Sequence, residues 1–287
     1  MNINVGDIVA RSSYNRDVLF RVIDIQGKIA VLYGEEVRLV ADAPLDDLEA
    51  VQKQEYMDRK SKEEQRIQRS FSLIKQDYEL TREQSEYEAT NGYEEEKRFF
   101  QLPGKVLHVD GDASYLQKCL TFYEKLNIPV YGVHCLEKEM PQKVPALIDE
   151  IRPDILVITG HDAYSKSKGK KGEIEAYRHS KHFVETVHEV RKRIPNLDQL
   201  VIFAGACQSH FESLIGVGAN FASSPSRVNI HALDPVYIVA KISFTPFTER
   251  IRVWDVLRNT LTGEKGIGGI ETKGLLRTGM PYNILEE

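Results

Sequence analysis

The residues in this chain that could do chemistry gather at the ends of apolar runs. VIFAGACQSHFE, residues 201–212, carries an apolar run onto Cys207, which sits among small neighbours. DILVITGHD ends on His161 and Asp162, and KVLHVDGD ends on Asp110-Gly111-Asp112. A thiol and an imidazole within reach of each other form a nucleophile and a base, and the same imidazole can return the proton to a leaving group. A cysteine between a strand end and a helix start would gain thiolate character from the helix dipole. Backbone N–H groups there could hold an oxyanion. Gly205 and Ala206 would let a substrate backbone come close. The competing reading is a packed core cysteine, and these features alone leave both open.

Those residues meet only if the runs that carry them are neighbours in one sheet. From Pro103 onward, KVLHVDGD, IPVYGVH, DILVITGHD and QLVIFAGACQS read as strands. They alternate with helical patterns in SYLQKCLTFYEKL, QKVPALIDEI, SKHFVETVHEVRKRI and HFESLIGVG. Alternation of this kind predicts a parallel sheet with helices on both faces, and near-continuous apolar strands fit a sheet covered on both sides. In such α/β sheets the working crevice lies beyond the carboxyl ends of the strands. If the first, third and fourth runs are adjacent, Asp110, Asp112, His161 and Cys207 converge.

Upstream, GDIVAR, VLFRVIDI, KIAVLYG and EEVRLVA read as short strands divided by turns, which suggests a small SH3-like β-barrel over residues 1–48. Residues 49–100 are rich in Glu, Lys, Gln and Arg and read as a charged helical linker. Ile67, Phe71, Ile74 and Tyr78 share one helical face there. Asn91-Gly92 breaks the pattern, and Thr90 to Lys97 reads as exposed and easily cut. The α/β domain takes residues 101–287.

The remaining candidates are weaker. Cys119 lies in an amphipathic helix pattern and reads as core, and Cys135 follows the second strand at what would be the sheet's edge. His108 reads as a core histidine, and His179, His182 and His188 as surface or packing residues. His210 would sit a turn into a helix, pointing away, while His231 in NIHALDP is the one rival to His161. No Cys/His spacing predicts a metal site, and no cofactor is implied. With 287 residues, 41% hydrophobic and 28% charged, and a net charge of −5, composition suits a sizeable domain plus a smaller one and speaks against nucleic-acid binding. No signal pattern or apolar run of membrane-spanning length is present, so no membrane partner is expected and a cytoplasmic protein is predicted.

His161 stands 46 residues before Cys207, close to the roughly 50-residue gap between histidine and the Q-A-C-[RQG]-G motif of caspases. Here the stretch is G-A-C-Q-S, which shares only A-C-Q with that motif. PGKVLHVDGDASYLQKCL, DILVITGHDAYSK, YRHSKHFVETV, LVIFAGACQS, GANFASSPSRVNIHALDP and GIGGIETKG together resemble the YabG family of sporulation-specific proteases over essentially the whole chain. The resemblance implies a cysteine peptidase of spore formers that processes spore coat and germination proteins and cuts after arginine. It implies Cys207 and His161 as the catalytic pair, and a place in the mother-cell cytoplasm in association with the spore coat.

The layout is also similar to the caspase, gingipain and clostripain group, which implies a caspase-like peptidase domain and a Cys/His dyad without an obligatory third acid. That group commonly has glycine after the histidine, where this chain has Asp162. The N–H groups of Cys207 and Asp162 are then expected to hold the oxyanion. The end of the first strand would line the pocket for the substrate arginine, making Asp112, or else Asp110, its carboxylate, with Asp162 as a third candidate. An alternative for Asp110-Gly111-Asp112 is a plain strand-to-helix turn with a helix N-cap. Ser223 and Ser224 in the FASSPSR loop are expected to pair with substrate backbone, and GEKGIGGIETKG to be a flexible loop. The barrel and charged helices would dock spore proteins or support a homodimer, and self-cleavage is open at Arg59, Arg66, Arg69 or Arg82. Two other readings stay open: a non-catalytic spore assembly scaffold, and a thiol acyltransferase or glutaminase.

Overall fold

The computed structural model describes residues 3–90 and 100–279. At its centre is a six-stranded sheet made of β7 (Val106–Asp110), β8 (Val130–His134), β9 (Ile155–Thr159), β10 (Val201–Ala204), β11 (Phe221–Ser223) and β13 (Ile267–Gly269). Its order is β13-β11-β10-β9-β7-β8, parallel except for β13. The predicted adjacency is therefore present: β7, β9 and β10 lie side by side with their carboxyl ends along one edge.

Strand parity sets the two layers. Val106, Ile155, Val157, Val201 and Phe203 face a core shared with α2 (Ala113–Lys125) and α6 (Asp234–Phe244). Leu107, Val109, Leu156, Ile158 and Ile202 face α3 (Met140–Ile151) and α4 (Ser180–Arg193). Both faces are thus covered, which is why these strands read as unbroken apolar runs. The short α5 (Phe211–Gly216) follows β10. The chain closes through β12 (Arg250–Ile251), α7 (Val253–Leu257), β14 (Thr272–Lys273) and β15 (Arg277–Gly279), the last paired with β6 (Phe100–Leu102).

GEKGIGGIETKG is not a loose loop, because its middle is β13. A Cβ at Gly269 would stand 2.4 Å from the Phe221 ring and one at Gly268 would stand 2.8 Å from the Phe211 ring, so only glycine lets this strand close against β11.

The N-terminal residues form a five-stranded antiparallel sheet with its own small core around Val9, Phe20, Val22 and Leu32. Its strands are β1 (Ile8–Arg11), β2 (Leu19–Gln26), β3 (Ile29–Gly34), β4 (Val40–Pro44) and β5 (Leu48–Ala50), in the order β4-β3-β2-β1-β5. EEVRLVA departs from expectation. Residues 35–39 leave the sheet as a loop, and pairing resumes only at Val40.

The charged segment is one helix, α1 (Lys53–Thr90). Its predicted apolar face packs on the main core, with Phe71 and Ile74 buried and Ile67 and Tyr78 alongside. The Tyr78 and Phe244 rings are 4.3 Å apart, tying α1 to α6. Asn91-Gly92 and the residues through Lys97 lie outside the described residues.

Candidate active site

The turn after β9 holds His161 between two carboxylates. Its N–H donates to Glu137 Oε1 at 2.7 Å, and its Nε2 is 3.0 Å from Asp112 Oδ2. With Nε2–H given to that carboxylate, the lone pair of the tautomer falls on Nδ1. Nδ1 is buried and has no hydrogen-bond partner among the described residues. The ring lies against Tyr33 and Tyr115, with centroids 5.7 and 6.0 Å away. Burial pushes the Asp112 carboxyl up, but hydrogen bonds from His161 and from the Tyr115 and Ser114 N–H groups outweigh it and leave it below its ordinary value.

Asp112 therefore does two things. Its Oδ1 caps α2 by accepting from Ser114 N and Tyr115 N at 2.8 and 3.0 Å, and its Oδ2 orients His161. The sequence reading foresaw the cap but not the bond to the imidazole. It also missed Glu137, which is buried in a charged stretch, LEKEM, that looks like surface. A Cβ on Gly111 or Gly160 would fall 2.2 or 2.4 Å from its Oε1, so the two strand-end turns close around this carboxylate because both residues are glycine.

Cys207 lies in the turn after β10 and is fully buried. Gly205 enters that turn at φ +108°, where a Cβ would meet Ser223 Oγ at 2.4 Å, and Gln208 leaves it at φ 56°. The cysteine is not at a helix N-terminus, since α5 begins only at Phe211 with His210 as its cap. The expected help from a helix dipole is accordingly missing. Burial pushes the thiol up to about 12, against weaker help from the N–H groups of Ile230 and Arg38 and the Arg38 charge. The Ile230 N–H reaches Sγ at 3.3 Å. Cys207 and His161 occupy adjacent strand ends, but no hydrogen bond joins them. The N–H groups of Cys207 and Asp162 have no hydrogen-bond partner among the described residues.

The three candidate arginine-binding carboxylates differ in what they already hold. Asp162 is saturated: Oδ1 accepts from the N–H groups of Ala163 and His179 at 2.9 and 2.8 Å, and Oδ2 from the hydroxyls of Ser209 (2.9 Å) and Ser180. It fixes the loop after β9 to α4 and to the Cys207 turn, which counts against it as an arginine partner. Asp112 is spent on the helix cap and His161.

Asp110 already holds a guanidinium. Arg38, fully buried, places Nη1 2.6 Å from Asp110 Oδ2 and donates from Nη2 to Ala232 O at 3.1 Å and to Cys119 Sγ at 3.3 Å. Burial raises the Asp110 carboxyl, yet the charge of Arg38 and the bond from His108 bring it down to about 2.

The serines are placed differently from the expectation. Both are buried, and the hydroxyls of Ser223 and Ser224 donate to Ala206 O and Val228 O, each at 2.7 Å. The backbone edge in use beside Cys207 is Ile230–Ala232. His231 is committed elsewhere, with Nε2 3.1 Å from Glu63 on α1 and Nδ1 accepting from Leu233 N. A cleft of about 300 Å³ runs between the N-terminal sheet and these turns, lined by Leu39, Val40, Tyr164, Gln208 and Asn229 among others.

A thiol, an imidazole oriented by a carboxylate, and N–H groups without partners among the described residues thus follow neighbouring carboxyl ends of the parallel sheet of an α/β fold. The chain belongs to the YabG peptidase family U57, whose family model matches residues 4–281. It is 65% identical to the sporulation-specific protease YabG of Bacillus subtilis (strain 168), over 98% of this chain and 99% of that protein. It is a protease of sporulation.

Proposed function

We propose that this protease is a cysteine endopeptidase cutting after arginine, with a caspase-like catalytic domain. The observation that supports this reading is that Asp112, His161 and Cys207 follow three adjacent strands, with His161 bonded to Asp112 and Asp110 holding a guanidinium. His161 Nδ1 takes the Cys207 proton, and the sulfur attacks the carbonyl carbon after the substrate arginine. The N–H groups of Cys207 and Asp162 receive the oxyanion. The imidazolium then gives its proton to the departing amine, and water, activated by the same ring, hydrolyses the thioester. Asp112 fixes the tautomer and steadies the imidazolium, while Asp110 pairs with the substrate guanidinium. No cofactor enters any of these steps.

We further read the N-terminal sheet as an SH3-like docking module and residues 1–48, 49–100 and 101–287 as the working divisions of the chain. Spore coat and germination proteins are the substrates in this reading, met in the mother-cell cytoplasm and at the coat, and arginines of α1 such as Arg59 or Arg82 are sites of self-processing. Among the described residues no helix is long and apolar enough to cross a membrane.

Intact-mass analysis of arginine-containing spore proteins incubated with wild type and with Cys207→Ala tests the core of this proposal. Cleavage after arginine by wild type alone is expected. Cleavage by both would remove Cys207 as the nucleophile, and cuts after other residues would remove Asp110 as the specificity group.

A further inference from the structure

Residues 35–39 leave the N-terminal sheet and enter the site described above, where they pair with its backbone. Glu36 C=O accepts from Ala232 N at 2.9 Å, and Arg38 N donates to Ile230 O at 3.3 Å, so the segment pairs antiparallel with Ile230–Ala232, with Val37 opposite His231. The Arg38 N–H also bears on the Cys207 thiol. The Arg38 side chain runs to the buried Asp110, and its guanidinium stacks 5.1 Å from the centroid of the Tyr115 ring. The Tyr115 hydroxyl, 2.6 Å from Gly34 O and 2.7 Å from Val37 O, shares its proton between the two ends of the loop.

Resting on the arginine-directed reading, we infer that Glu36–Leu39 is a tethered occupant of the substrate channel, with Arg38 filling the pocket built for the substrate arginine. The N-terminal sheet thereby holds the peptidase closed.

Two features mark the segment as a blocker and not as a cleaved substrate. Beyond Arg38 the chain does not run on in an extended form. Leu39 N turns back to Val37 O at 2.8 Å, and Leu39 O is held by Gly34 N at 2.9 Å, so the residue on the leaving side stays folded against β3. The guanidinium also fits incompletely: Nε, though buried, has no hydrogen-bond partner among the described residues. A free peptide able to use that donor as well has a route to displace the loop. The same occupation fits the burial of Cys207, whose Sγ is 3.3 Å from Ile230 N on the backbone edge that the segment pairs with.

The test uses the full chain as wild type, Arg38→Gln, Cys207→Ala and the double variant, with two probes: a fluorogenic acetylated peptide ending in arginine, and acetylarginine amide. Emptying a pocket that is occupied most of the time should raise kcat/KM for the peptide by about tenfold or more in Arg38→Gln, and this gain should vanish in the double variant. Acetylarginine amide should raise the melting temperature of the double variant but not that of Cys207→Ala alone. Equal, measurable and Cys207-dependent rates for Arg38→Gln and wild type, or no thermal response in the double variant, would overturn the inference. So would the appearance of a fragment ending at Arg38 in wild type, which would make the segment a substrate. A failure of the peptidase reading looks different: hydrolysis is absent or survives Cys207→Ala, while the thermal response still reports the pocket. If Arg38→Gln does not fold, Tyr115→Phe, which frees the two loop carbonyls, should raise the peptide rate by a smaller factor, and an unchanged rate would count against the blocker.

Discussion

Two neighbouring turns, one after β9 and one after β10, carry the two halves of the proposed chemistry and are built in opposite ways. The His161 turn is polar and tied down: Glu137 holds its N–H, Asp112 holds its ring, and Asp162 ties the next residue into α4. Cys207 is packed into the apolar core, and the hydrogen bonds of its sulfur run to the backbone of Ile230. The His161 ring is thus oriented by its neighbours, while burial pushes the Cys207 thiol up to about 12. On the proposed mechanism, this difference would put the control of the protease on the access to its cysteine and not on the geometry of its histidine.

The largest effects should come from deleting either half. Cys207→Ala and His161→Ala should each lower kcat for an arginyl peptide by about 10⁴-fold or more, since residues acting as a unit fail together. Each should leave the circular dichroism spectrum unchanged. Next comes the contrast in reactivity. A thiol pushed up to about 12 should react with iodoacetamide at neutral pH about three orders of magnitude more slowly than an ordinary cysteine near 8.5. Peptide mapping of the alkylated chain measures this, and rapid labelling of Cys207 in the wild type would break the comparison.

Asp112→Asn sharpens it from the other side. An amide oxygen can still cap α2, but the charge facing His161 is lost, so kcat should fall by about 10²–10⁴-fold with little change in melting temperature. Asp162→Ala should do the reverse in kind. It strands four donors, and should lower unfolding free energy in urea by about 3 kcal/mol or more.

The smallest effect is a pH dependence. Asp110 is held down to about 2 by Arg38, so its folded value lies below its unfolded value of about 3.9. The stability this contributes is full above about pH 4 and is lost as pH falls towards about 2. Wild type and Arg38→Gln should therefore differ in urea midpoint by a constant amount near neutrality, with the gap closing below about pH 4.

Much of this was legible in the chain, for a physical reason. Strands covered on both faces must be apolar throughout, so β7, β9 and β10 stand out, and the polar residues that end them mark the crevice. The α1 face carrying Phe71 and Ile74 was readable from its period. What could not be read depends on contacts made at long range. EEVRLVA looks like one more strand, and only the position of Asp110, 72 residues further on, turns Arg38 inward. Glu137 sits among charges that suit a surface, and it is buried because two glycines from separate strand ends leave it room. The glycines of β13 look flexible until Phe211 and Phe221 are seen against them.

The central claim is that Cys207, served by His161, attacks the carbonyl that follows an arginine. Its most direct measurement is the intact mass and labelled peptide of the full chain after treatment with an arginyl chloromethyl ketone. One adduct, on Cys207, formed in the wild type and lost in His161→Ala, is the predicted result. An adduct on another residue, or labelling of Cys207 that is indifferent to His161, would contradict it.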